Sequence, residues 1–248
     1  MRDSLLTYQA RIKSEIECRC DVDVIDVGLV DNPEKAIEAA EKLSSCGVEL
    51  AFLYMSTYCL SSTVLPIAQR LHCPIIILNL QPVATVDYDY MNNLGDRGKM
   101  TGYWLMHCQA CSAPEIISVF KRSKLRFELV TGYLDDSVAW KEIEGWVRAA
   151  DVYYKMRNNR LGVLGHYYGG MLDVYTDLTR QSAVFGTHIE MLEMCELKSL
   201  RDSVTSEEIN QKITEFYEHF VVSKSCSSEE LLLSLIHISE PTRLALIS

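Results

Sequence analysis

The residues best suited to contacting a ligand lie in one glycine-rich turn. The run from Leu161 to Asp177, LGVLGHYYGGMLDVYTD, has a short apolar stretch, then glycines at 165, 169 and 170, then a helix-like start. Open α/β sheets bind ligands where the chain leaves the carboxyl end of a strand, and small residues let the backbone approach the ligand. The run therefore predicts a ligand-facing turn. The competing interpretation is that Gly169 and Gly170 only begin a helix near a domain interface.

A second polar cluster lies in the long segment from Pro82 to Pro114, which is predicted to join a strand to a helix. It is longer than such a connection needs, and long loops on a rigid scaffold are usually functional or contact another subunit. Its polar and aromatic residues suit a sugar, because amides and carboxylates bind vicinal hydroxyls while aromatic rings cover the apolar face. They are Asp87, Asp89, Asn92, Asn93, Asp96, Arg97, Lys99, Tyr103, Trp104, His107 and Gln109. A solvated loop with a few buried aromatic rings is the alternative.

Cys108 and Cys111 form a single CxxC pair, preceded by His107. A zinc site needs four ligands and no second pair stands at metal spacing, while a thioredoxin-like motif would follow a strand directly. We therefore expect structural thiols, and a thiol-based redox protein ranks last among the functions considered.

Carboxylates able to transfer protons are not predicted to converge in residues 1–232. Glu190 and Glu193 are three residues apart, but in a strand-like segment their side chains would point to opposite faces. We expect both to be solvated or interface carboxylates. No catalytic residue and no metal ligand is therefore predicted in this chain.

The elements that position these residues alternate between strand and helix. Apolar runs predict strands at Val22–Val30, Leu50–Met55, Ile75–Leu80, Phe127–Thr131, Leu161–Gly165 and His188–Glu193. Helices are predicted at Asp3–Ile16, after the Asn32 cap, at Ser62–Leu71, at Ser137–Met156, near Leu172 and at Ser206–Phe220. This alternation predicts an α/β protein with two doubly wound, flavodoxin- or Rossmann-like parallel sheets. A polar hinge, Arg157–Arg160, divides an N-terminal domain, 1–157, from the start of a second, 158–232.

Both ends of the sequence suggest truncation. The first predicted element is a helix, whereas doubly wound domains open with a strand, so we expect the first strand to be missing. Residues 233–248 begin LSLIHISEPTR, which looks like the translation of a sequencing adapter. We expect that tail to be an artefact that packs poorly and carries no site.

Composition narrows the possible partners. The chain has 248 residues, of which 48% are hydrophobic and 23% charged, and its net charge is −10. The acidity argues against a nucleic-acid partner, and no apolar run is long enough to predict a membrane span. Nine cysteines, an odd number, without a signal peptide indicate a reducing compartment, so a cytoplasmic location is expected.

Four segments together carry a resemblance to a known family. They are DYDYMN (residues 87–92), VTGYLDD (130–136), the glycine turn ending in Met171, and FGTHIEMLEM (185–194). With them, the chain resembles the L-arabinose isomerase branch of the L-arabinose/L-fucose isomerase family between about Glu49 and Phe220. It departs from the family pattern at GDRGKM (residues 95–100) and in the insertion through HCQAC (107–111), so the sugar is left open.

The resemblance implies a metal-dependent aldose–ketose isomerase acting through an enediol. It implies manganese, held by two glutamates and two histidines that belong to the half of the protein following this chain. It also implies that Met171 lies against the substrate, that His166, Tyr167 and Tyr168 form part of the sugar's wall, and that the loop holding Asn92 and Asp96 reaches a neighbouring subunit's site. A homo-oligomer of the hexamer type follows. This chain alone is expected to be inactive.

A different class of function fits the same residues. Two α/β domains flanking a hinge also suit a sugar-binding or sensing module without catalysis. The absence of a signal peptide and the cysteine content weigh against an exported binding protein.

Overall fold

The strand β2, Ile75–Gln81, lies at the centre of the first sheet, and six of its seven residues are buried. A computed structural model describes residues 2–223 and 226–227. The chain divides into two units, Met1–Lys155 and Met156–Ser248. The predicted artefactual tail, 233–248, lies outside the described residues. No helix in the described ranges has both the length and the apolarity that a bilayer span requires.

The first unit holds a parallel sheet in the order β1-β2-β3. Strand β1 is Ala51–Tyr54 and strand β3 is Glu128–Tyr133. Ala51 pairs with Ile75 across β1 and β2, and Ile76 pairs with Glu128 across β2 and β3. The helices of this unit are α1 (Arg2–Cys20), α2 (Pro33–Ser45), α3 (Ser61–Arg70), α4 (Tyr88–Asn92), α5 (Arg97–Leu105), α6 (Gln109–Arg122) and α7 (Ser137–Arg157).

Apolar clusters cover both faces of this sheet. Alternate residues of a strand point to opposite faces, so Ile75 and Ile77 join one cluster while Ile76, Leu78 and Leu80 join the other. The first cluster is completed by helices α2, α3 and α6, and the second by helices α1 and α7. Burial of these side chains stabilises the unit by about 25 cal/mol for each Å² of apolar surface removed from water. Parallel strands with both faces covered are therefore confirmed for this unit.

Two predictions for the first unit were wrong. Residues 22–30 form neither a strand nor a helix. Gly28 has a φ of +77°, outside the range of a β-strand, and its N–H donates to the Asp26 carboxylate at 2.7 Å. Residues 82–114 are not a long loop, because they include α4, α5 and the start of α6. Asp87 caps α4 by accepting from the Tyr90 N–H at 2.8 Å, which supplies the partner that a helix start needs.

The second unit is a smaller arrangement around two parallel strands, β4 (Arg160–Leu164) and β5 (His188–Leu192). The helix predicted near Leu172 is only a 3₁₀ turn, Leu172–Val174. The regular helix begins after the Asp177 cap as α8 (Leu178–Phe185), followed by α9 (Met194–Asp202) and α10 (Ser206–His219). The described chain is therefore mixed α/β with small parallel sheets of three and two strands.

Candidate functional site

The glycine turn leaves the carboxyl end of β4, as expected for a ligand-facing turn. Strand β4 ends at Leu164, and Gly165 turns the chain with a φ of +82°, a conformation that residues with a Cβ rarely adopt. Tyr168 follows with 70% of its surface exposed, and His166 and Tyr167 are also exposed. The structure therefore places three ring side chains in the solvent at the end of a strand.

Contacts within the turn involve its backbone and two of these rings. The Met171 N–H donates to the Tyr168 carbonyl at 3.2 Å, closing the turn. A Cβ at Gly170 would lie 2.9 Å from Cε1 of the exposed Tyr168 ring, so a larger residue there would displace that ring. The Tyr167 and Tyr175 rings pack at 5.4 Å between centroids. Gly169 and Gly170 lie in this turn, and neither lies within a helix.

Met171 lies at the end of the turn, directly before the 3₁₀ turn, and is 49% exposed. A half-exposed methionine keeps a flexible, polarisable thioether free for an apolar contact. Neighbouring exposed apolar side chains extend this surface: Leu172, Val174 and Tyr175. The turn therefore combines aromatic rings with an adaptable apolar contact.

Asn92 and Asp96 lie in the first unit, on neighbouring short elements. Asn92 is the last residue of α4 and is exposed. Asp96 caps α5, and its carboxylate accepts from the Lys99 N–H at 2.8 Å. Asp96 also lines a shallow hollow of about 530 Å³ with Tyr90, Leu94, Gly98, Lys99, Gly102, Tyr103 and Met106, and Asn92 does not. One of the two residues therefore already has a structural role.

Sequence reasoning missed a buried amide network at the carboxyl edge of the first sheet. The Gln109 side-chain nitrogen donates to the Ser56 and Met106 carbonyls, both at 2.9 Å. With its amide oriented to satisfy its neighbours, Gln81 donates to the Gln109 side-chain oxygen at 2.8 Å. The signal in the sequence was two glutamines beside apolar residues, since an uncharged polar group is buried only with hydrogen-bond partners.

Tyr54 is the last residue of β1 and lies beside this network. Its hydroxyl is buried and makes no hydrogen bond of acceptable geometry. Burial raises the pKa of the Tyr54 phenol, and the nearby Gln109 amide opposes part of that rise. Asn79 of β2 is also buried; its nitrogen donates to Thr131 Oγ1 at 3.4 Å, while its oxygen has no partner. This edge offers neutral donors and acceptors, which suit hydroxyl binding rather than proton transfer.

The CxxC pair lies at the start of α6, with Cys108 Sγ and Cys111 Sγ 3.0 Å apart. Cys108 is buried, and burial together with the Cys111 thiol raises its pKa to about 12. The thiolate is the reactive form of cysteine, so this thiol stays protonated and unreactive near neutral pH. The geometry favours the structural role expected for this pair.

The two carboxylates that the sequence singled out have separate local partners. Glu190 forms an ion pair with Arg160 across β4 and β5. Glu193 is the N-cap of α9, and its backbone N–H donates to the Glu196 carboxylate at 3.1 Å. Among the described residues, no group of three or more His, Cys, Asp or Glu could hold a metal ion. The described part of the chain therefore does not fit the manganese that the family resemblance implies.

Comparison with known proteins gives one distant similarity. No family model matches the chain. L-arabinose isomerase 2 of Clostridium acetobutylicum is 23% identical over 141 residues, which are 57% of this chain and 26% of that protein. The chain thus spans about a quarter of the relative it matches. The comparison supports a distant, partial relationship to an isomerase.

Proposed function

We propose that this chain is part of an aldose–ketose isomerase acting on L-arabinose or a related sugar, and that it contributes sugar binding. The observation that carries the proposal is the 141-residue similarity to an L-arabinose isomerase. The exposed rings at the carboxyl end of β4 support it, because a turn at that position is where α/β sheets bind their ligands.

In this proposal the glycine turn forms one wall of the sugar site. Tyr168 and Tyr167 cover the apolar face of the sugar, His166 bonds a hydroxyl, and Met171 makes an apolar contact. Asn92 and Asp96 approach the sugar site of a neighbouring subunit in a homo-oligomer. In the whole enzyme, each of the two units is part of a doubly wound α/β domain. A cytoplasmic location accompanies this function.

The chemical step needs groups beyond those described. Moving hydrogen between C1 and C2 of an open-chain sugar requires polarisation of the carbonyl and a base that carries protons through an enediol. The described residues offer no metal-binding group for the first task. The proposed contribution of this chain is therefore to bind and orient the sugar, while the rest of the enzyme supplies manganese and proton transfer.

Saturation-transfer NMR on the whole chain tests the binding step. L-arabinose should receive saturation from the protein, and Tyr168→Ala should abolish most of it, because the exposed ring supplies the stacking surface. Tyr217→Ala is the matched control, since Tyr217 is a similarly exposed tyrosine on α10. Equal signals from the two variants would contradict the assignment of the turn.

A hybrid enzyme tests the isomerase reaction. Residues 160–177 replace the corresponding turn of L-arabinose isomerase 2 from Clostridium acetobutylicum, and conversion of L-arabinose to its ketose is measured. Retained activity supports the proposal. A different outcome is a hybrid that has the parent's melting temperature but converts no sugar, although the present chain binds L-arabinose by NMR. That combination would favour a binding module without catalysis.

A further inference from the structure

Two thiols lie next to each other at the N-terminal end of α6. Cys108 is the N-cap residue of this helix, and the Cys111 N–H donates to the Cys108 carbonyl at 3.2 Å. The two Sγ atoms are 3.0 Å apart. Residues three apart in a helix have Cα atoms about 5 Å apart, within the range of about 4.4–6.8 Å that disulfides require. The pair can therefore form a disulfide without a large movement of the backbone.

The two thiols differ in their access to a reagent. Cys111 is exposed, whereas only 1% of the surface of Cys108 is exposed, and burial raises the Cys108 pKa. A reagent in solution therefore reacts with Cys111 first. A protonated thiol is slow toward outside reagents, but a fixed neighbour at 3.0 Å replaces a chance encounter by an effective concentration of about 10⁵ M or more in well-oriented pairs. Cys108 is thus placed to react with an oxidised Cys111.

The first turn of α6 also holds the segment that follows β1, residues 56–59. The Gln109 side chain donates to the Ser56 carbonyl at 2.9 Å, and the Cys59 N–H donates to Ser112 Oγ at 2.7 Å. Gln109 and Ser112 are buried, and each directly follows one of the two neighbouring cysteines. A bond between those cysteines therefore closes the helical turn that anchors this segment at the carboxyl edge of the sheet.

We propose that Cys108 and Cys111 form a modification site, where exchange with a small disulfide of the glutathione type produces a reversible intramolecular disulfide that fixes residues 56–59 to α6. The site modifies this chain and does not oxidise or reduce other proteins, because the buried Cys108 thiol is out of reach of an outside disulfide. The inference does not rest on the proposed isomerase function.

The exchange takes place in two steps. The Cys111 thiolate attacks one sulfur of the small disulfide, forms a mixed disulfide and releases the first small thiolate. Cys108 Sγ then attacks Cys111 Sγ, and the bond to the second small thiol breaks. The protons of both protein thiols end on the two small thiols. The chain loses two electrons and two protons, which reduce the small disulfide to two thiols.

Mass spectrometry of the whole chain tests disulfide formation. The chain is equilibrated with reduced glutathione and glutathione disulfide, and free thiols are blocked with N-ethylmaleimide before digestion with trypsin. Trypsin cleaves after Lys99 and Lys121, so residues 100–121 form a peptide whose two cysteines are Cys108 and Cys111. The unblocked peptide, lighter by two hydrogen atoms, should exceed the peptide carrying glutathione by at least about tenfold, because the neighbouring thiol displaces glutathione.

Cys18 and Cys20 provide a control within the same sample. They lie two residues apart on α1, where side chains do not face each other, so they should be recovered blocked or bound to glutathione. Two variants test the order of the steps. Cys108→Ser should leave glutathione on Cys111, since no second thiol displaces it, and Cys111→Ser should leave Cys108 unmodified because it is buried.

Amide hydrogen exchange at Cys59 tests the effect on residues 56–59. The Cys59 N–H should exchange at least about threefold more slowly in the oxidised chain than in the reduced chain, because the turn that accepts its hydrogen bond opens less often. In Cys111→Ser, the same change of buffer should leave this exchange rate unchanged.

Three results would overturn the proposal. Recovery of residues 100–121 mainly with both thiols blocked, or mainly with glutathione attached, means that the pair does not close. A disulfide between Cys18 and Cys20 at the same yield means that the geometry at α6 does not determine the reaction. Equal exchange at Cys59 in the oxidised and reduced chains means that the disulfide does not fix residues 56–59. If Cys108→Ser does not fold, these three measurements on the unsubstituted chain still decide the outcome.

Discussion

At the residue scale, the exposure of Met171 separates a role in binding from a role in packing. Met171 is 49% exposed, so its truncation should change the free energy of unfolding by less than about 0.5 kcal/mol, as for surface substitutions generally. In the hybrid isomerase carrying residues 160–177, Met171→Ala should raise KM about tenfold, which corresponds to about 1.4 kcal/mol. Steady-state kinetics with L-arabinose measure the change.

The control for Met171 is a side chain that only packs. Ile77 is fully buried in β2, and Ile77→Ala in the present chain should cost about 2–5 kcal/mol through loss of apolar contacts and the cavity left behind. Unchanged kinetics together with a clear fall in melting temperature for Met171→Ala would assign Met171 to packing instead.

Tyr54 gives a second residue-scale prediction, on the dependence of stability on pH. Its raised pKa means that the folded state keeps the phenol proton after the unfolded state loses it near pH 10. Stability from this group is therefore fully present below pH 10 and falls as the pH rises above it. Tyr54→Phe should remove that part of the alkaline decline.

Urea unfolding at pH 8 to 12 measures the difference between the two proteins. At pH 8 the variant should be as stable as the parent or up to about 1 kcal/mol more stable, because an unbonded buried hydroxyl is lost. Tyr58→Phe, at an exposed tyrosine four residues away, is the control. An alkaline decline that is the same in Tyr54→Phe and the parent would show that another group causes it.

At the scale of elements, Gly132 sets how closely β3 approaches α7. A Cβ at Gly132 would lie 2.7 Å from the Ala139 Cβ and 2.7 Å from Asp136 Oδ2, at the start of α7. Gly132→Ala should therefore cost about 1–3 kcal/mol of unfolding free energy, as overpacking does. Chemical denaturation monitored by circular dichroism gives the value.

Gly145, within α7, provides the matched substitution. Nothing lies within 4 Å of a Cβ there, so Gly145→Ala should stabilise the protein by about 0.5–1 kcal/mol through helix propensity. If both substitutions shift the denaturation midpoint in the same direction, the close contact between β3 and α7 is not what determines the effect at Gly132.

Local sequence signals were sufficient to predict where two of the helices begin. The Asn32 cap and the following Pro33 predicted α2, and the Asn32 side chain does accept from the Lys35 N–H at 2.8 Å. The Thr205 capping box likewise marks the start of α10. Residues 22–30 carried a strand-like apolar pattern, but a strand is defined by its partner, and no described neighbour pairs with it. The apolar pattern of residues 22–30 alone could not predict the lack of a pairing strand.

The candidate site was predictable only in part, because some of its contacts join residues that are far apart in the sequence. Gly165 and Gly170 indicated a turn, and the structure shows a positive φ at Gly165 and a close approach of the Tyr168 ring at Gly170. The buried Gln81–Gln109 contact joins residues 28 positions apart, so only the folded sheet edge reveals it. Asp96 looked like a ligand group by type, but helix capping occupies its carboxylate, a role that residue types alone do not distinguish.

At the scale of the whole molecule, the arrangement of donor groups predicts how this chain behaves with manganese. Tight binding of one ion needs several convergent ligands, and no such group occurs among the described residues. We expect the chain as it stands to bind manganese no more tightly than about millimolar and to convert no L-arabinose. Isothermal titration calorimetry with manganese chloride and a ketose assay measure the two properties, with L-arabinose isomerase 2 of Clostridium acetobutylicum as the comparison. A one-to-one site of micromolar affinity would show that side chains outside the described residues complete a metal centre, and the assignment of manganese to another part of the enzyme would then be wrong.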